Sequence, residues 1–81
     1  ILMALNLYSL NLSGSQIRDL EGIKFNDSFS DLIIEDMVIY DQPAQVFWLN
    51  NSGAKRIFIS KGMFSPFQLG KLDSGIKVIL N

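Results

Sequence analysis

The amino-acid sequence predicts an all-β solenoid of about three rungs. Two blocks of the chain, Gly22–Ile39 and Gln45–Phe64, follow the same order of apolar and polar residues, and a third block begins at Gly75. Within each block apolar residues alternate with polar ones, which is the period of a β-strand. No block could bury its apolar face alone, and repeats of this kind bury it by stacking on one another.

A first ladder of strands is predicted from inward residues at equivalent places in successive blocks. Leu10, Leu32 and Ile57 hold these places, at offsets of 22 and 25 residues. Because paired strands lie about 4.8 Å apart, these three side chains would form one apolar column. Alternation then sends Ile33 and Phe58 outward. Burial of such columns stabilises a solenoid by about 25 cal/mol per Å² of apolar surface.

A second ladder of strands is predicted from another set of apolar residues. Phe25, Leu49 and Leu80 would be its inward side chains, and corners rich in Asn, Ser and Gly would separate it from the first ladder. If Leu49 points inward, alternation sends Trp48 outward, beside Lys24 of the preceding rung.

The composition argues against several classes of partner and site. A net charge of −1 without blocks of like charge argues against a nucleic-acid partner. No apolar run approaches the roughly 18–20 residues that span a bilayer. The absence of cysteine excludes disulfides and thiolate sites, and neither a metal nor another cofactor is predicted. Residues 1–81 are interpreted as a single solenoid segment, part of a longer chain or of an assembly.

The repeat pattern resembles a known solenoid family. The segments Gly22–Asn26 with Leu32–Ile39, and Val46–Asn50 with Ile57–Ser60, are similar to the right-handed parallel β-helix repeat of the pectin-lyase-like superfamily. Tailspikes and polysaccharide lyases share such repeats. The resemblance implies a parallel β-helix in a surface, secreted or virion protein that contacts carbohydrate.

A leucine-rich repeat is the alternative solenoid. The segment Leu7–Ile17 fits L-x-x-L-x-L-x-x-x-x-L, and Arg18–Ile23, within the only stretch of weak helical periodicity, would form its convex turn. The place that this framework gives to Asn is Met37 in the second block. Because Met cannot satisfy the backbone groups of the turn, the β-helix is the favoured interpretation.

Any catalysis would depend on carboxylates, because the chain has no His and no Cys. Glu35 and Asp36 are adjacent candidates, and Asp41 follows one short turn later. A glycosidase pair needs two carboxyl groups about 5–9.5 Å apart that face one groove. Neighbouring residues at a strand end diverge, so the segment is predicted to be scaffold, although its parent protein could be a polysaccharide lyase or hydrolase.

The candidate glycan contacts are an outward aromatic side chain and a long loop. Trp48 would stack on a sugar ring, and Lys24 would bind an acidic sugar or make a cation–π contact. The third rung is longer than the second, and the excess falls within residues 65–75. Protruding loops often carry binding residues. The candidates in this loop are Phe67, Gln68 and Lys71.

Two other functions are compatible with a solenoid. In a protein-recognition module, Ile33, Phe58 and Trp48 would form an apolar interaction patch. In a purely structural role, the apolar ends of the solenoid at residues 1–5 and 78–80 would associate with neighbouring repeats or with other copies.

Overall fold

A computed structural model of the chain describes residues 9–16, 19–25 and 31–81, and the backbone of residues 4–5. In this part of the chain four short strands precede the first of two helices, and one further strand follows each helix. The elements are β1 (Ala4–Leu5), β2 (Ser9–Asn11), β3 (Lys24–Phe25), β4 (Asp31–Ile33), α1 (Gln42–Asn50), β5 (Arg56–Ile59), α2 (Pro66–Leu69) and β6 (Lys77–Leu80).

The principal sheet has four parallel strands in the order β2-β4-β5-β6. Leu10 pairs with Leu32, and Leu32 pairs with Ile57. The predicted first column is therefore confirmed. Val78 continues it as the partner of Ile57. β1 and β3 form a separate parallel pair, in which Leu5 lies beside Phe25.

One hydrophobic core lies on a single face of the principal sheet. Leu32 and Ile57 are fully buried, and Ile34 and Ile59 form a second buried row two residues further along the strands. The buried apolar side chains of α1, Val46 and Leu49, belong to the same cluster. Leu69 of α2 packs against this cluster, so both described helices contribute to the core, whereas Ile33 and Phe58 of the opposite face do not belong to it.

The all-β fold class is wrong, because the predicted strand at residues 45–49 lies within helix α1. Asp41 caps this helix by accepting a hydrogen bond from the Ala44 N–H at 3.4 Å, and a proline lies within its first turn. Gln45, Val46 and Leu49 are its buried residues, at helical spacing. The chain is a small mixed α/β protein, and neither solenoid interpretation placed a helix here.

The long corner of the third rung also contains a helix. The hydroxyl of Ser65 accepts a hydrogen bond from the Gln68 N–H at 3.2 Å, and Pro66 supplies a preset φ at the first helical position. These residues begin α2, which ends at Leu69 and lies beside α1. The loop predicted at residues 65–75 from the excess length of the third repeat therefore contains a short helix at Pro66–Leu69.

The second predicted ladder is wrong. The Phe25 N–H donates a hydrogen bond to the Ser52 carbonyl at 2.6 Å, so Phe25 lies beside the chain that follows α1. Leu49 is in α1, and Leu80 pairs with Ile59 in the principal sheet. Residues 19–23 form a turn, which the Ile23 N–H closes on the Leu20 carbonyl at 3.0 Å. Residues 1–3, 17–18 and the corner at Asn26, which also figured in the predictions, lie outside the described residues.

Candidate binding face on the parallel sheet

The side of the principal sheet opposite the core carries three rows of side chains, and we call this surface the sheet face. Its central row is apolar. Ile33, Phe58 and Ile79 are register partners on β4, β5 and β6, and each is half-buried. Asn11 of β2 continues the row with a polar side chain beside Ile33. The predicted outward positions of Ile33 and Phe58 agree with this arrangement.

A charged row runs beside the apolar one. Asp31, Arg56 and Lys77 are register partners two residues before the central row. The Arg56 guanidinium donates from Nε to Oδ1 of Asp31 at 2.7 Å and from Nη2 to Oδ2 at 2.6 Å. This two-bond geometry fixes the orientation of the guanidinium. The same guanidinium lies over the Phe58 ring, 5.6 Å from its centroid.

The Asp31–Arg56 ion pair is exposed, but its geometry changes the chemistry of both groups. Hydrogen bonding to Arg56 lowers the pKa of Asp31, and the positive charge of the guanidinium lowers it further. The pKa of Arg56 is raised by the same hydrogen bonds. Both side chains therefore remain ionised at neutral pH.

Lys77 adds a positive charge on the other side of Arg56. Its backbone N–H donates to the Lys55 carbonyl at 2.9 Å, which places it in register on the edge of the described sheet. Among the described residues, the only ion pair is that between Asp31 and Arg56. The charged row consequently has one cation more than it has anions.

A polar row lies at the ends of the strands, and its side chains form hydrogen bonds with the turns that follow. The Ser13 hydroxyl accepts a hydrogen bond from the Glu35 N–H at 3.1 Å, and the Ser60 hydroxyl accepts one from the Asp36 N–H at 3.0 Å. The Asn81 side-chain amide donates to the Glu35 carboxylate. These contacts give the row a structural role at the border of the sheet face.

The three carboxylate candidates for catalysis occupy different structural positions. Glu35 contacts Asn81 on the polar row, Asp36 is exposed at a turn with a φ of 55°, and Asp41 caps α1. The described part of the chain encloses no pocket and contains no group of three acidic side chains that could hold a metal ion.

Trp48 does not lie at the position predicted for it. Trp48 lies on α1, half-buried against the hydrophobic core, and its ring forms a T-shaped contact with the Phe47 ring at 5.1 Å between centroids. Lys24 is exposed on β3. The two residues are not on adjacent strands of one sheet, and Trp48 is not on the sheet face with Ile33 and Phe58.

The remaining glycan candidates lie on α2 and just after it. Phe67 is 70% exposed, and the Lys71 ammonium covers its ring at 4.7 Å from the centroid. Gln68 is half-buried, and its Oε1 has no hydrogen-bond partner among the described residues. The Asn50 side chain holds the following segment by donating to the Lys71 carbonyl at 3.0 Å.

The sequence interpretation missed the charged row. Asp31, Arg56 and Lys77 each lie one residue before an inward residue of the column formed by Leu32, Ile57 and Val78. Extending the alternation upstream by one residue would have placed all three on the outward face. The opposite charges at the offset of 25 residues were the available signal.

Comparisons of the chain with protein-family models, with curated proteins and with solved structures give no match. In the part of the chain that the structure describes, no helix is long and apolar enough to cross a membrane.

Proposed function

We propose that the chain is a protein-recognition module that binds a polypeptide partner on the sheet face. The observation that carries the proposal is the half-buried apolar row of Ile33, Phe58 and Ile79 on the face opposite the core, which borders an ordered ion pair. An apolar strip with a polar surround is the usual composition of a protein-binding surface.

The sheet face is also suited to binding with little loss of conformational freedom. Its side chains project from paired strands, and Arg56 is held by two hydrogen bonds to Asp31. The Phe58 ring packs under the Arg56 guanidinium. Such preorganisation lowers the entropic cost of association, and aromatic and Arg side chains are enriched among residues that dominate binding energies.

The carbohydrate-contact hypothesis has less support from the geometry. It depended on Trp48 projecting from a flat strand beside Lys24, whereas Trp48 packs on α1 against Phe47 and the core. The exposed ring of Phe67 is covered on one side by Lys71. The outward row of the sheet is mainly aliphatic, which favours a polypeptide over a sugar.

The test is selection of peptides from a random dodecapeptide display library on the immobilised chain, followed by affinity measurement with synthetic peptides. Phe58→Ala removes the central side chain of the sheet face, and Phe67→Ala is the matched control because it removes an exposed Phe on α2. Phe58→Ala is expected to weaken binding at least tenfold, whereas Phe67→Ala leaves it within twofold.

Circular dichroism of both variants verifies that the fold is retained. The proposal is wrong if no peptide is selected, or if the peptides bind Phe58→Ala as tightly as the unaltered chain. Sedimentation over a range of protein concentrations identifies a second copy on the same face, in which case Phe58→Ala would abolish the concentration dependence.

A further inference from the structure

We infer that the partner presents an acidic side chain to Arg56 and Lys77, two residues away from an apolar side chain that contacts the central row. This inference rests on the proposed function and specifies the chemistry of the partner. It follows from the charges of the sheet face, from the unused donors of Arg56 and from the spacing of the strand residues.

The charges place two cations side by side. Arg56 and Lys77 are register partners on adjacent strands, and both side chains are exposed. Like charges directly opposite each other on a sheet are destabilising. Asp31 lies on the far side of Arg56 and accepts two of its hydrogen bonds. A carboxylate placed between Arg56 and Lys77 would remove the remaining repulsion.

Both cations retain donors for such a carboxylate. A guanidinium has five N–H donors, and the ion pair with Asp31 occupies Nε and Nη2. The Nη1 group is therefore not used by that pair. The Lys77 ammonium has no ion-pair partner among the described residues. An incoming carboxylate could thus accept hydrogen bonds from both groups without displacing Asp31.

The separation of the charged row from the apolar row sets the spacing between the acidic and the apolar side chain of the partner. Phe58 follows Arg56 by two residues on β5, and Ile79 follows Lys77 by two residues on β6. Two residues of an extended strand span about 7 Å. An extended peptide with an Asp or Glu at one position and an apolar side chain two positions away matches both rows at once.

A nucleic-acid phosphate is an alternative anion, but the observations favour a polypeptide. The chain has a net charge of −1, whereas nucleic-acid-binding domains are usually basic. The row beside the cations is apolar and half-buried, which suits an aliphatic side chain better than a sugar–phosphate backbone.

The experiment uses the peptides selected on the whole chain. Enriched sequences are expected to carry Asp or Glu two positions from Leu, Ile, Val, Met or Phe. For the tightest peptide, synthetic versions with Glu and with Gln at that position are measured against the unaltered chain and Lys77→Gln. Lys61→Gln is the matched control because Lys61 is an exposed lysine at the turn after β5.

Either change, in the chain or in the peptide, is expected to weaken binding about tenfold. The two changes together should cost no more than the change in the peptide alone, because Glu→Gln already removes the charged contact with both Arg56 and Lys77. Lys61→Gln should leave the affinity within twofold. Raising the salt concentration from about 0.05 M to about 0.5 M should weaken binding to the unaltered chain more than binding to Lys77→Gln, which retains only the Arg56 contact.

The possible failures are distinguishable. If the selected peptides depend on Phe58 but lack an acidic residue, or bind Lys77→Gln undiminished, the inference is wrong and the proposed function stands. If no peptide depends on Phe58, both are wrong. Tight binding of a twelve-nucleotide thymidine oligomer that is lost in Lys77→Gln would also overturn the inference, because it would assign these cations to phosphate.

Discussion

The Gln45 side chain on α1 accepts a hydrogen bond from the Leu20 backbone N–H at 2.6 Å, although the two residues are 25 positions apart. The same side chain donates from Nε2 to the Tyr40 carbonyl at 3.0 Å and to the Asp19 carboxylate at 3.2 Å. Gln45 is 1% exposed, and Leu20 is fully buried. One buried amide thus joins α1 to the turn at residues 19–23.

Replacing Gln45 with Met should destabilise the protein by about 2 kcal/mol, because it leaves the buried Leu20 N–H without an acceptor. The substitution keeps the size of the side chain, so packing changes little. Urea denaturation followed by circular dichroism measures the loss. Gln16→Met, at an exposed position, should change stability by less than about 0.5 kcal/mol. Equal losses in the two variants would contradict a structural role for the Gln45 amide.

Substitutions of the consecutive residues Ile33 and Ile34 distinguish the two faces of the principal sheet. Ile34 is fully buried in the core, whereas Ile33 is half-buried on the sheet face. Ile34→Ala should lower the free energy of unfolding by about 2–5 kcal/mol, and Ile33→Ala by about 1 kcal/mol or less. The same denaturation experiment measures both. The reverse order would show that the sheet presents its other face to the core.

Alanine substitutions at two glycines distinguish the backbone strain of a positive φ from a steric clash of the new Cβ with a neighbouring residue. Gly53 and Gly62 have φ values of 81° and 84°. A Cβ on Gly53 would lie 3.0 Å from the Phe25 carbonyl oxygen, whereas one on Gly62 would meet nothing within 4 Å. Gly62→Ala should cost about 1–2 kcal/mol from the backbone alone, and Gly53→Ala should cost clearly more. Similar losses would place Phe25 further from Gly53.

The Asp31–Arg56 ion pair predicts a specific dependence of stability on pH. Because the pKa of Asp31 is lower in the folded chain than in the unfolded one, the pair stabilises the protein above the unfolded pKa of about 3.9. This contribution is lost as the pH falls through the folded pKa. Asp31→Asn should therefore lower Tm slightly at pH 7, and the difference should disappear in strong acid. The effect is small because the Arg56 side chain is 52% exposed, so solvent screens the pair.

Arg56→Gln provides the control for this pH dependence. It removes the partner that lowers the pKa of Asp31. In the Arg56→Gln variant, Asp31→Asn should therefore no longer lower Tm more at neutral pH than at acidic pH. The double variant Asp31→Asn with Arg56→Gln should show the pH profile of either single variant. If adding Asp31→Asn to the Arg56→Gln variant still changed the pH dependence of Tm, the effect would belong to another group.

The register of the principal sheet could be predicted because it depends on a pattern within each block. Leu10, Leu32 and Ile57 recur at similar offsets, and the structure pairs them as expected. Helix α1 could not be recognised in the same way, because residues 46–49 are four consecutive apolar residues, and a short apolar run fits a buried strand as well as a helix. Burial of the polar Gln45 depends on its contact with Leu20, which only the folded chain brings together.

The candidate site was predictable to a similar extent. The outward positions of Ile33 and Phe58 followed from alternation, and the structure has them on one face. The hydrogen bonds between Asp31 and Arg56 depend on the side-chain conformations of residues 25 positions apart, which periodicity does not specify. Trp48 was misplaced because its outward direction was an inference from the strand that proved to be α1.

The fluorescence of Trp48, the only tryptophan, tests its position directly. Because Trp48 is half-buried against the core and its ring contacts the Phe47 ring, its emission should be blue-shifted from that of the unfolded chain, and acrylamide should quench it less. Neutral and acidic oligosaccharides should leave both unchanged. Phe47→Ala uncovers one side of the ring and should shift the emission to the red. A fully exposed Trp48 that responds to sugar would instead restore the carbohydrate hypothesis and contradict the packing of α1.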